Sequence, residues 1–245
     1  AEPAETYTLF RFEQDCIRVL RRLAHRARFG SGSIPLLMVG GSGLYIEAVL
    51  KNYRIADVPE DAEFRGRLRR IPRQDLVNQL RHEDPRLAAR SDLSSKERVI
   101  RALEVSAAAT RGAVEHSRPL GIELDSRVYA LQTDREMLRR RIRSRLEERL
   151  EAGMIGEVED LIEAGLSRER LNRLGLEYRE IGNYLTGDKT HRQMVDDLAI
   201  AIGRFAKRQE TWFRGMERRG TPITWIEPGD SKRILDDVED WVAGQ

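Results

Sequence analysis

Residues 36–50, LLMVGGSGLYIEAVL, carry four apolar residues into three glycines and a serine, and then into an apolar helical pattern. A short apolar run bounded by glycines reads as a buried strand. The glycines themselves permit tight turning and close approach of other groups to the backbone. A strand, turn and helix in that order present backbone N–H groups at a helix N-terminus, which attracts anions. This is not a Walker loop, because G-x-x-x-x-G-K-[ST] occurs nowhere in the 245 residues. Residues 6–29 place Phe12, Cys16, Val19, Leu20 and Leu23 at helical spacing, residues 30–33 break the pattern, and Pro35 leads into the apolar run. Helix, loop, strand, glycine turn and helix is the order of a parallel α/β sheet with its ligand at the carboxyl end of the strand. Ser42 has two readings here, as the N-cap of the following helix or as a hydroxyl facing a bound phosphate.

The texture changes after Lys51. Charged helical stretches punctuated by Pro59, Pro72 and Pro85 fill residues 51–117, as expected for a helical insertion between two parts of an α/β core, 1–50 and 118–245. Residues 94–109 read as its last helix, with Ser94 and Ser95 as candidate caps. Residues 126–133 alternate as a strand would, and Asp134 is placed to cap a long helix with a stripe of Leu138, Ile142, Leu146 and Leu150. Gly153 and Gly156 are expected to interrupt that helix. A second long helix is predicted over 192–219. Its apolar stripe is Leu198, Ile202, Phe205, Trp212 and Met216. Arg204, Lys207, Arg208, Thr211, Arg214 and Arg218 form a basic stripe about 120° away at 100° per residue. Residues 221–227 read as a short strand and 231–242 as a last helix.

A net charge of +2 conceals an uneven make-up. Only Lys51, Lys96, Lys189, Lys207 and Lys232 are lysines, which leaves 38 of the 43 cationic residues as arginine. Arginine suits bidentate phosphate contacts and stacking on bases, although a GC-rich genome would give the same bias. Cys16 is the single cysteine and is expected to be a buried apolar residue. The four histidines, His25, His82, His116 and His191, lack metal-ligand spacing, so no protein metal site is predicted. No apolar run is long enough to span a bilayer and no signal-peptide pattern is present, so the expected compartment is the cytoplasm.

Five segments in order carry a family resemblance: PLLMVGGSGLYIEAVL (35–50), RVIRALEV (98–105), DREMLRRRIRSRLEERLEAGMIGEVEDLI (134–162), GLEYREIGNYLTGD (175–188) and AKRQETWFR (206–214). Together they resemble the tRNA dimethylallyltransferases, the isopentenyltransferases that prenylate adenosine 37 beside the anticodon. The resemblance extends from Tyr7 to Ile226. It implies a P-loop NTPase-like parallel-sheet core with a helical insertion domain that binds tRNA. The implied reaction moves a dimethylallyl group from its diphosphate to N6 of the adenine, with Mg²⁺, and releases diphosphate. The expected partners are dimethylallyl diphosphate and the tRNA anticodon loop, with no membrane and the chain acting as a monomer.

The same resemblance assigns site residues. Ser42 stands where the family has a Thr or Ser hydroxyl on the leaving diphosphate, with Gly40, Gly41 and Gly43 allowing close backbone approach. The tRNA contacts carry over to Arg65, then to Glu97, Arg98, Val99, Ile100 and Arg101. They continue at Leu174, Gly175, Leu176, Glu177, Tyr178 and Arg179, and at Lys207, Arg208, Gln209, Glu210, Thr211, Trp212, Phe213 and Arg214. Trp212 and Phe213 read equally as core or as base platforms. The family's base is an Asp in a segment that would precede Ala1, together with a true P-loop, so the chain is expected to be part of a longer enzyme. No carboxylate here occupies that motif, neither Asp15 nor Glu47, and no catalytic base is assigned. GLEY replaces the commoner x-I-G-Y, which leaves Arg173 without a role. Two alternatives stay open: a non-catalytic RNA-binding protein that has lost the phosphate loop, and a prenyltransferase acting on free adenine nucleotide.

Overall fold

The computed structural model describes Glu5 and residues 7–29, 35–121 and 123–243. In chain order the elements begin with α1 (Leu9–Phe29), α2 (Gly43–Leu50), β1 (Ala56–Asp57), α3 (Ala62–Leu68), α4 (Arg73–Glu83) and α5 (Pro85–Arg90). They continue with α6 (Lys96–Thr110), β2 (Glu115–His116), β3 (Tyr129–Leu131), α7 (Arg135–Glu151) and α8 (Met154–Glu163). The last are α9 (Arg168–Leu174), α10 (Leu176–Leu185), α11 (His191–Arg218), β4 (Thr224–Ile226) and α12 (Ser231–Ala243). The chain divides into two compact units, one of Ala1–Tyr7, Arg22–Leu50 and Glu123–Gln245, the other of Thr8–Arg21 and Lys51–Ile122.

The second of these units is a small helical body. Its core packs Leu68 of α3, Leu76, Val77 and Leu80 of α4, Ala88 of α5, and Val99, Ile100 and Leu103 of α6. Helix starts here follow ordinary capping chemistry: the side chains of Asp61, Asp84 and Ser95 accept from the backbone N–H of Phe64, Leu87 and Arg98. The expected last helix of this region is therefore α6, with Ser95 as its cap. A two-residue antiparallel ladder, β1 with β2, is too short to leave a trace in the sequence pattern. The N-terminal part of α1 corrects its predicted stripe. Glu13 and Ile17 are the buried positions, Cys16 is half-buried and Val19 is exposed. Burial raises the Glu13 carboxyl above its ordinary value, and the nearby Ser117 hydroxyl partly offsets that.

The other unit is built on α7, α8, α9, α10 and α11. Leu146, Met154, Val158, Leu171, Ile181, Met194, Val195 and Leu198 form its core. Asp134 caps α7, accepting from the N–H groups of Glu136 and Met137. Gly153, at φ 94°, separates α7 from α8 in the left-handed conformation that glycine tolerates, whereas Gly156 lies within α8 and interrupts nothing. Thr190 and Gln193 form a capping box at the start of α11.

β3 and β4 pair in parallel, Tyr129 with Thr224, Ala130 with Trp225 and Leu131 with Ile226. A parallel pair far apart in sequence is an α/β feature, yet helices dominate the described residues. The predicted strand at 36–39 is a correction. These residues have no strand partner among the described residues and are exposed. Apolar content favours a strand, but only hydrogen bonds to a neighbouring strand make one. The glycine-rich break at 30–33 lies outside the described residues. Among the described residues no helix is long and apolar enough to cross a membrane.

Candidate functional site

The glycine turn meets the long basic helix within one unit. Ser42 opens α2 through its backbone: its carbonyl accepts from the N–H groups of Tyr45 and Ile46 at 2.9 and 3.1 Å. Its exposed hydroxyl makes no hydrogen bond among the described residues, so it does not act as a side-chain cap. Of these glycines, Gly43 is the one needed for space. A Cβ on Gly43 would stand 2.2 Å from Cδ1 of Trp212, and one on Gly41 would stand 2.3 Å from Nε2 of Gln209. The Gln209 amide could swing aside, whereas the indole ring could not without moving α11 or α2. Gly40 has no such constraint, its nearest neighbour being the Ile46 side chain at 3.9 Å. The turn and the segment 207–214 are thus in van der Waals contact, with Gln209 and Trp212 at the seam.

On α11, Leu198 and Met216 are buried as expected, Ile202 and Trp212 are half-buried, and Phe205 is exposed. The basic stripe faces solvent over four turns. Among the described residues Arg204, Lys207 and Arg218 have no anionic partner, and Arg208 lies over the Phe205 ring at 5.7 Å. Arg214 bonds to Glu210 at 2.9 Å and stacks 4.7 Å from the centroid of Trp225. Thr211 turns its hydroxyl back to the Lys207 carbonyl at 2.8 Å. Among the described residues the buried Trp212 indole N–H has no hydrogen-bond partner, and Phe213 is half-buried.

In the small helical body the assigned residues are largely committed to one another. Glu104 is buried and accepts from the Asp61 N–H at 2.8 Å, from Arg65 at 3.0 and 2.7 Å, and from Arg101 at 2.5 Å. Burial alone would raise its carboxyl. The bonds from Arg65, the Asp61 N–H and Arg101 outweigh burial and hold it below its ordinary value. The Arg65 side chain is only 15% exposed and also pairs with Glu60, so its guanidinium serves the interior of this unit. Arg101 further donates to the Val58 carbonyl. Val99 and Ile100 are core residues at 0% and 1% exposure, so their side chains cannot reach a ligand in solvent. Glu97 and Arg98 are exposed, paired with Arg69 and Asp92 respectively.

Residues 174–179 form the junction of α9 and α10. Leu174, Leu176 and Tyr178 pack against the core of their unit, and the Tyr178 hydroxyl donates to Glu157 at 2.7 Å. Gly175 is extended, and a Cβ there would meet Glu177 and Tyr178 at ordinary contact distance. Arg179 bonds to the buried Glu180, which Lys189 also approaches at 2.6 Å. Arg173 pairs with Glu169 on its own helix.

Sequence reasoning missed Glu47 as a partnered group. It is buried, and its carboxylate is bonded to Arg219. A lone charge in the otherwise apolar GLYIEAVL helix was the available signal, since a buried carboxylate needs a partner. Among the described residues no three His, Cys, Asp or Glu side chains converge to hold a metal ion.

Comparison with known proteins decides what this arrangement belongs to. The IPP transferase family model matches residues 1–216. The chain belongs to the IPP transferase family. Its relatives include "tRNA dimethylallyltransferase 1" of Syntrophus aciditrophicus (strain SB), 39% identical over 238 residues, 97% of this chain and 76% of the relative. The protein of the same name in Geotalea uraniireducens (strain Rf4) is 40% identical over 240 residues, 97% of this chain and 75% of the relative. Among solved structures, the full-length tRNA isopentenylpyrophosphate transferase from Bacillus halodurans aligns at a TM-score of 0.62 with 27% identity, over 100% of this chain and 75% of that one. IPP transferase membership accounts for the order of the five motifs and for the α/β fold in which helices predominate.

Proposed function

We propose that the chain transfers a dimethylallyl group from dimethylallyl diphosphate to N6 of adenosine 37 in tRNA, as the names of its relatives indicate. The observation that carries this reading is the contact of Gly41 and Gly43 with Gln209 and Trp212. That contact seats the anion-attracting turn on α11, the helix that also carries the basic stripe, and this supports the reading. Breaking an allylic C–O bond leaves charge on the departing diphosphate, and donors placed on that oxygen lower the barrier. The exposed Ser42 hydroxyl and the backbone N–H groups at the start of α2 are suited to that task. The adenine must leave its stack before N6 is reachable, and cations on the flanking phosphates offset that cost. Lys207, Arg208 and Arg214 supply those cations in this reading; Glu97 and Arg98 on the small helical body, and segment 174–179, are each proposed as tRNA contacts in their own right.

The finer architecture is part of the same proposal. A P-loop-type parallel core, completed by strands beside the β3 and β4 pair, would give residues 36–39 the neighbours that their composition favours, with 51–117 as the helical insertion. Mg²⁺ is proposed to arrive with the diphosphate, since the described side chains do not form a donor set for a protein-held cation. The tRNA substrate places the reaction in the cytoplasm.

The test is transfer of labelled dimethylallyl from its diphosphate to a tRNA bearing adenosine 37, with a guanosine-37 tRNA and free AMP as controls. Prenyl on the adenosine-37 tRNA alone supports the reading. Binding without transfer favours the RNA-binding alternative, and transfer to AMP favours the nucleotide alternative. Ser42→Ala is expected to lower turnover while tRNA affinity stays unchanged; the reverse pattern would remove Ser42 from the diphosphate.

A further inference from the structure

Glu47 is the one charged side chain of α2, and it is 2% exposed. Its two oxygens are taken up by a single guanidinium. Arg219 Nε donates to Oε1 at 3.0 Å, and the same arginine donates to Oε1 and Oε2, each at 2.8 Å. Arg219 is also the residue that ends α11, its backbone N–H bonding back to the carbonyls of Gly215 and Met216. The guanidinium lies 5.7 Å from the centre of the Trp212 ring. That ring in turn fills the space a Gly43 side chain would need. A closed circuit of contacts therefore runs from Glu47 through Arg219 and Trp212 to Gly43.

Glu47 follows Gly43 by four residues, so the two lie on one face of α2, about one turn apart. The buried carboxylate cannot rotate away from its partner without losing every bond that offsets its burial. The direction of the Glu47 side chain thereby fixes the rotational phase at which α2 begins.

We infer that Glu47 and Arg219 are positioning residues that set where the glycine turn and the Ser42 hydroxyl stand against α11. Neither needs to touch substrate. Their catalytic consequence rests on the transferase reading above, while the mechanical part stands without it. Arginine is required because its planar fork meets both carboxylate oxygens and stacks on an indole, which an ammonium group does not reproduce.

Hydrogen–deuterium exchange of the full chain tests this in Arg219→Lys and, separately, in Glu47→Gln, at a temperature where circular dichroism shows each variant folded. Exchange in peptides spanning 41–46 is expected to rise at least about fivefold in Arg219→Lys, with peptides from α7 unchanged. In the transfer assay the same variant is expected to lose about tenfold in kcat through misplacement of the turn. Its tRNA Kd should stay within about twofold of wild type, since no RNA contact is removed. Unchanged exchange at 41–46, or an equal rise in α7, overturns the inference, and a rise there with unchanged kcat overturns its catalytic part. If Arg219→Lys does not fold, Glu47→Gln decides by the same readings. A full gene product that transfers no prenyl group defeats the transferase reading and leaves the exchange result to judge the positioning pair.

Discussion

On α6, Arg98 pairs with Asp92 and Arg101 with Glu104, whereas on α11 Arg204, Lys207 and Arg218 face solvent with no anionic partner among the described residues. Both helices carry repeated cations, and the family resemblance implies tRNA contacts on both. The structure separates them by what their charges already do. A guanidinium held by a buried carboxylate organises its own unit, and withdrawing it for a phosphate would leave that carboxylate uncompensated. An unpaired lysine or arginine in solvent has no such tie, and it is these cations that release counterions on meeting nucleic acid.

The largest expected effect breaks the committed side of that comparison. Glu104→Ala leaves the Arg65 guanidinium largely enclosed, with the exposed Glu60 as its one remaining anionic partner among the described residues, and should destabilise the small helical body by about 3–5 kcal/mol. Thermal unfolding followed by circular dichroism would show it. Acid titration makes the same point without a mutation. The folded-state value of Glu104 lies below its ordinary value of 4.5. The stabilisation is therefore present above pH 4.5 and is lost as pH falls from there through the folded-state value. In Glu104→Gln this part of the acid sensitivity should disappear.

The next effect sharpens the free side. Lys207→Ala should weaken tRNA binding across sequences and reduce the slope of log K against log salt by about 1, with thermal stability unchanged. The smallest effect tests the exposed pair on α6. Arg98 and Asp92 are both more than half exposed, so Arg98→Ala should cost no more than about 1 kcal/mol of stability. Any larger loss would then appear in tRNA affinity.

The parts of the fold that were legible are those written in local chemistry. Asp134 ahead of a four-leucine-type stripe gave α7 with its cap, and the Leu198 to Met216 periodicity gave α11. The strands predicted near 126–133 and 221–227 proved to be β3 and β4. Residues 36–39 read as a strand and are not one here, because pairing is a property of neighbours and not of apolar content. β1 and β2 are two residues each, below any periodicity.

Site residues divided in the same way. The glycine turn was legible as a motif, and its need for glycine at position 43 became physical only once Trp212 was found against it. Arg65 and Glu104 lie 39 residues apart in sequence, so nothing local could show that the arginine was already engaged. Glu47 was visible as a lone charge, but its partner Arg219 stands 172 residues away.

The central proposal is that the unpaired face of α11 and the glycine turn seated on the same helix at Gln209 and Trp212 serve one substrate site. Its most direct test is hydrogen exchange of the full chain with and without a tRNA anticodon stem-loop and a non-hydrolysable dimethylallyl diphosphate analogue. Protection of residues 204–214 by the RNA, together with protection of 41–46 by the diphosphate, is the result this account predicts. Protection of neither segment at saturating ligand would contradict it.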